Sequence, residues 1–172
     1  MENGRLQSPG IRILLTALTA AVMIMIFFFS METAEKSDET SGVIARRVIG
    51  VLYPDYADYP EEQQQKVYDS IQLVVRKTAH YTEYALLGFL MRLCLESWFG
   101  RRKWLTPASW AASTLYASTD EIHQLLIDGR SGQWTDVLLD SAGVLSGVLI
   151  ALLLLALIRR ADRRKGSVKV CP

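Results

Sequence analysis

Cysteine is scarce in this chain. Cys94 and Cys171 are the only two among 172 residues, so no disulfide framework can hold the fold together. Charge of one sign is scarce as well. Nineteen Lys and Arg stand against eighteen Asp and Glu, a net charge of +1. That balance speaks against nucleic acid as a partner, which calls for a strong basic excess. No G-x-S-x-G elbow, no phosphate-loop glycine motif and no HExxH helix occurs. Ser113, Ser118 and Ser131 have no nucleophile context around them. The chain has no internal repeat, and no motif in it calls for a cofactor.

What it does have is long apolar runs separated by charged segments. The run 13–31 holds nineteen residues without a charge, close to the roughly 20 that a membrane helix needs. It is long for the apolar part of a cleaved signal, and no small-x-small site follows Phe29, so it reads as an anchor. Three further stretches, 77–99, 105–127 and 136–158, are each long enough to cross, with ionisable groups toward one end. The basic residues orient them. With the N-terminus in the cytoplasm, eleven of the nineteen Lys and Arg fall on the inner side, in 1–12, 101–103 and 159–172. Five fall in the much longer outer segments, and Arg76, Lys77 and Arg92 lie at or in the second span. The expectation is an all-α protein, a four-helix transmembrane bundle with both termini cytoplasmic. Residues 1–12 form an N-terminal tail, 13–158 the membrane domain and 159–172 a basic C-terminal tail.

The outer segment 32–76 opens acidic. From Ser41 to Leu52 its apolar residues, Val43, Ile44, Val48, Val51 and Leu52, recur at helical spacing and are interrupted by Arg46 and Arg47. This predicts an amphipathic helix on the membrane surface. Pro54 and Pro60 bracket a turn, and Pro60, Glu61 and Glu62 suit the first turn of another helix that runs on into the second span.

The polar residues inside the spans fall into three stripes. Lys77, His80 and Tyr84 share one face of the second span, with Arg76 just before them and Glu83 one step round. Tyr116, Asp120, His123 and Gln124 share a face of the third, with Glu121 at its margin. In the fourth, Asp136, Asp140, Gly143 and Gly147 line up. The topology puts all three polar sets within roughly 10 Å of the outer end, at ~1.5 Å per residue. Ionised groups facing lipid would be costly, so the stripes are expected to face one another. Gly143 and Gly147 would let a neighbouring helix approach closely beneath them. Arg130, in the glycine-containing turn DGRSGQWT, can fold back over this pocket and grip a carboxylate or phosphate with two prongs. His80 or His123 would transfer a proton, with Asp120 or Glu121 orienting it. Arg76, Lys77, Tyr84, Gln124, Arg130, Asp136 and Asp140 would bind the substrate. A metal held by His80, Glu83, His123 and Asp120 is a further possibility that lacks a dense ligand motif. Toward the inner end, Cys94 reads as a packing residue, and Arg92 and Glu96, four apart, as a pair.

At these residues the sequence resembles the VanZ-like family of bacterial membrane proteins. The segments RKTAHYTEYALLG (76–88) and TDEIHQLLIDGRSGQWTDVLLDSAGVLSG (119–147) carry the resemblance. Lys77, His80, Tyr84, Asp120, Glu121, Gln124, Arg130, Asp136 and Gly143 match the family pattern, while Asp128 stands where many relatives have Pro. The resemblance implies a multi-pass protein of the bacterial cytoplasmic membrane with a link to resistance against teicoplanin-type glycopeptides, and it supplies no reaction. The bilayer is the first partner. Beyond it, an outward polar pocket would take an anionic lipid or a cell-wall precursor. The alternative is a non-enzymatic accessory or scaffold, partnered by a membrane protein or by a second copy of the chain, in which the polar cluster is a structural lock. A transporter ranks last, because little in the inner half is polar.

Overall fold

The computed structural model describes residues 6–127 and 133–168. Among them it has no strand, five α-helices and one 3-10 turn. The helices are α1 (Pro9–Ser30), α2 (Ala34–Leu52), α3 (Glu61–Phe99), α4 (Leu105–Gln124) and α5 (Trp134–Val168), and the 3-10 turn is Tyr56–Asp58. The all-α expectation therefore holds. Local chemistry sets several boundaries. Pro9 stands in the first turn of α1, where its fixed φ fits and its missing N–H leaves no bond unmade. Pro60 caps α3, with Glu61 and Glu62 in the first turn, where carboxylates meet the positive end of the helix dipole. α3 stops at Gly100, whose φ of 67° lies in the left-handed region that glycine tolerates best.

Two boundaries differ from the expected ones. α2 begins at Ala34, seven residues ahead of the apolar periodicity. Its acidic opening is built of helix formers, and Lys36 bridges back to Glu32 at 2.9 Å. α5 continues past residue 158 into the basic stretch, because Arg and Lys propagate a helix as well as Leu does.

The long helices alternate in direction. Arg12 of α1 donates to the Ser97 carbonyl of α3, while Ile26 packs beside Tyr84, so α1 and α3 are antiparallel. Lys77 meets Asp136 and Tyr81 meets Ser146, so α3 and α5 run parallel. Trp110 reaches Ser141 and Glu121 reaches Gln133, so α4 runs against α5. The start of α1 and the end of α5 consequently lie at one end of the bundle, the Glu96 end; Lys77 marks the other.

α3 is the central element and touches each of the other four helices. Its 39 residues make a rod of about 58 Å, longer than the ~30 Å hydrocarbon core of a bilayer. Two apolar cores flank it. One contains Ile26, Tyr84, Leu87, Ala117, Val144 and Val148. The other, nearer Glu96, contains Leu15, Leu93, Cys94, Ala151 and Leu155. α2 lies on the outlying part of α3, with Ala45 and Ile49 buried. Gln72 donates to the Asp38 carbonyl and to Ser41 Oγ across this contact.

The apolar runs predict four spans. Among the described residues two helices are long and apolar enough to cross a membrane, Pro9–Ser30 and the Trp134–Arg164 part of α5. α3 and α4 miss that measure for different reasons. In α3, His80, Glu83, Arg92 and Glu96 interrupt the apolar stretch. In α4, six Ser and Thr dilute it. Several of those hydroxyls bond back to the helix's own carbonyls, Ser109 to Leu105, Ser118 to Thr114 and Thr119 to Tyr116, which lowers the cost of taking them out of water.

Candidate functional site

The parallel packing of α3 on α5 rests on glycine. A Cβ on Gly143 would lie 2.5 Å from the Tyr81 carbonyl oxygen, and one on Gly88 would lie 2.4 Å from that of Val144. With the backbones so close, side chains at the seam and up to two turns above it are brought face to face. Lys77 Nζ reaches Asp136 Oδ1 at 2.6 Å, and the Tyr81 and Ser146 hydroxyls meet at 2.6 Å.

α4 adds its carboxylates to this layer. Asp120 is 4% exposed and accepts a 3.2 Å hydrogen bond from the side-chain amide of Gln124. Glu121 accepts the backbone N–H of Gln133 at 3.1 Å, which ties the end of α4 to the start of α5. Tyr84 is fully buried, with its hydroxyl beside Asp120. Asp140 is 1% exposed, and neither of its oxygens finds a hydrogen-bond partner among the described residues. It lies within electrostatic reach of Glu121, Asp120, Asp136 and Glu83. The layer thus gathers five carboxylates, and its lysine is engaged by one of them, Asp136.

The other anticipated residues take different places. His80 Nδ1 stands 4.0 Å from Glu83 Oε2 on the same helix. His123 turns to α1 instead, its ring stacked on Phe27 at 5.1 Å between centroids and 11° between planes. Arg76 points away from the layer and pairs with Asp38 of α2 at 3.3 Å. No group of three or more His, Cys, Asp or Glu among the described residues could hold a metal ion, so the set His80, Glu83, His123 and Asp120 is not assembled as one. Arg130, with Gly129 and Gly132, lies outside the described residues.

Beside the layer is a cavity of about 210 Å³, on the side of α3 that faces α1 and α2. α3 contributes Val75, Arg76, Ala79, His80 and Glu83. α2 contributes Ser37, Thr40, Ser41 and Ile44, and the end of α1 contributes Phe29, with Glu32 just beyond it. His80 and Glu83 border both the cavity and the carboxylate layer. The α2 residues are the part that sequence reasoning missed. Their hydroxyls carry no catalytic signature, and only the fold of α2 onto α3 brings them to His80. A second omission is at the opposite end, where Arg159 of α5 joins the Arg92–Glu96 pair.

These features define a class: an all-helical protein with two membrane-length apolar helices and a buried acidic layer at one end of the bundle. The VanZ/LLP1 family model matches residues 15–155, most of the chain, and the chain belongs to that family. Membership and the two apolar helices together mark a membrane protein. No curated protein and no solved structure matches the chain.

Proposed function

We propose that the protein crosses the bacterial cytoplasmic membrane four times with both termini in the cytoplasm. In this reading its outward-facing polar site binds an anionic component of the cell envelope, such as a lipid phosphate or a cell-wall precursor. The alternating helix directions and the inner-side excess of Lys and Arg support the topology. A link to teicoplanin-type glycopeptide resistance, implied by the family resemblance, belongs to the same proposal.

The observation that carries the binding role is the cavity. It places one cation, Arg76, and one histidine, His80, among hydroxyls and apolar side chains at the depth of the polar layer. The two carboxylates that also line it, Glu32 and Glu83, lie 2.9 Å from Lys36 and 4.0 Å from His80. The bridge from Arg76 to Asp38 joins side chains 43% and 51% exposed. A pair so open to solvent is worth about 1 kcal/mol or less, so an arriving anion can displace the carboxylate. His80 beside Glu83 is then the group placed to donate to or accept from that anion.

A structural lock is the competing role, favoured by the 2.6 Å Lys77–Asp136 bridge between α3 and α5. Asp136 separates the two. A lock that depends on this bridge predicts a marked loss of melting temperature for Asp136→Asn, which takes the carboxylate away from Lys77. If the site serves a ligand, the bridge between side chains 38% and 30% exposed contributes about 1 kcal/mol or less, and the variant should melt near wild type. In purified protein, phosphatidylglycerol at about 100 times its Kd should add about 2.7 kcal/mol, or roughly 5–10 °C at this chain length. Arg76→Ala and His80→Ala should melt near wild type and lose that increment. An unshifted wild type, together with low-melting Asp136→Asn, would sink the binding role.

A further inference from the structure

We infer that the ligand of the α1–α2–α3 cavity is an amphiphile with a phosphate head and a long apolar chain, entering sideways from the outer leaflet between α1 and α2. The inference rests on the binding role proposed above and names the class of ligand.

Volume is the first argument. About 210 Å³ is smaller than the ~300–1,000 Å³ of pockets that enclose a whole organic ligand. It accommodates a head group, and the remainder of a larger ligand must lie outside. The second argument is the lining. Arg76, His80 and Glu83 occupy the α3 wall, whereas Phe29 and Ile44 stand at the edge, 46% and 49% exposed. A water-soluble anion has no use for an apolar edge.

Continuity is the third. The exposed apolar surface does not stop at the cavity. It runs onto Phe28 of α1, 61% exposed, and onto Val43 and Val51 of α2, 46% and 79% exposed. On α2 these residues and Ile44 fall within about 100° of one another, opposite the Ala45 and Ile49 face that packs on α3. Lys36 and Arg47 fall within that stripe, where long side chains lay their apolar stems on lipid and carry their charges out to phosphate level. A chain left outside the cavity would therefore rest on apolar side chains within the bilayer.

The test measures lipid retention by native mass spectrometry on the full chain in detergent. The probes are dioleoylphosphatidylglycerol, dihexanoylphosphatidylglycerol and free sn-glycerol 3-phosphate. Dioleoylphosphatidylglycerol should bind at least tenfold more tightly than the other two. Phe29→Ser and Ile44→Ser, each at a half-exposed position, should cut its advantage over the dihexanoyl form at least fivefold. Arg76→Ala should weaken all three probes. Equal affinity for the two lipids, or an advantage that neither edge variant reduces, overturns sideways entry and leaves the anion site standing. Binding of none of the probes by wild type overturns the binding role itself, and the inference with it.

Discussion

Glu96→Leu is expected to lower the stability of the protein by about 3–5 kcal/mol, the range for removing one partner of a buried ion pair. The Glu96 side chain is 1% exposed and sits between two guanidiniums. Arg92 Nη2 lies 2.7 Å from one of its oxygens, and Arg159 holds the other. The Arg92 side chain is 3% exposed and that of Arg159 19%. Arg92 Nε and Nη1 are buried without a hydrogen-bond partner among the described residues, so the carboxylate is the main compensation for bringing that guanidinium inside. With Glu96 gone, two cations remain in the contact between α3 and α5. Adding Arg92→Met to Glu96→Leu should recover a large part of the loss, since an apolar replacement of a buried pair is often neutral. Chemical denaturation of the purified protein reads both values. A cost below about 1 kcal/mol for the single variant would mean that water reaches the triad.

Gly147 should be nearly as sensitive. A Cβ there would lie 1.8 Å from the Ala85 carbonyl oxygen and 2.8 Å from the Phe89 nitrogen. Both are backbone atoms of α3, so no side chain can turn aside, and the helices must separate. Overpacking generally costs about 1–3 kcal/mol, and Gly147→Ala is expected at or above the top of that range. Gly147→Leu should prevent the α3–α5 contact from forming. Gly50 is the internal control. It lies inside α2, and a methyl group added there would meet nothing within 4 Å. Gly50→Ala should therefore stabilise the protein by about 0.5–1 kcal/mol, the helix-propensity difference. Thermal melts compare the two directly, at roughly 2–4 °C per kcal/mol for a chain of this size. Equal melting of Gly147→Ala and wild type would show that the seam is looser than the backbone contacts indicate.

The two variants also separate what is legible in the sequence from what is not. The glycine stripe can be read because Gly143 and Gly147 recur at i and i+4, a local periodicity. The Arg92–Glu96 pair can be read for the same reason. Arg159 cannot, since it stands 63 residues from Glu96 and meets it only because α3 and α5 are parallel. The polar stripes behave similarly. Lys77, Tyr84, Asp120, Asp136 and Asp140 are each assignable to a helix face. Their partners are not: Lys77 takes Asp136, while Asp140, one turn further along α5, takes no hydrogen-bond partner among the described residues. His123 shows the limit most clearly. Spacing puts it on the face of Asp120, yet its ring lies on Phe27 of α1.

By itself, then, the sequence determined the helices, their apolar and polar faces, the acidic opening of the segment before α3, and the glycine stripe. All of these depend on residues within a turn or two of one another. Only the tertiary structure decided which polar groups meet, that α2 closes one wall of the cavity, and that the triad at the Glu96 end has three members. Those outcomes depend on how far each helix is rotated about its axis and on how close two backbones come. Spacing along one helix leaves both undetermined, and packing between helices sets them.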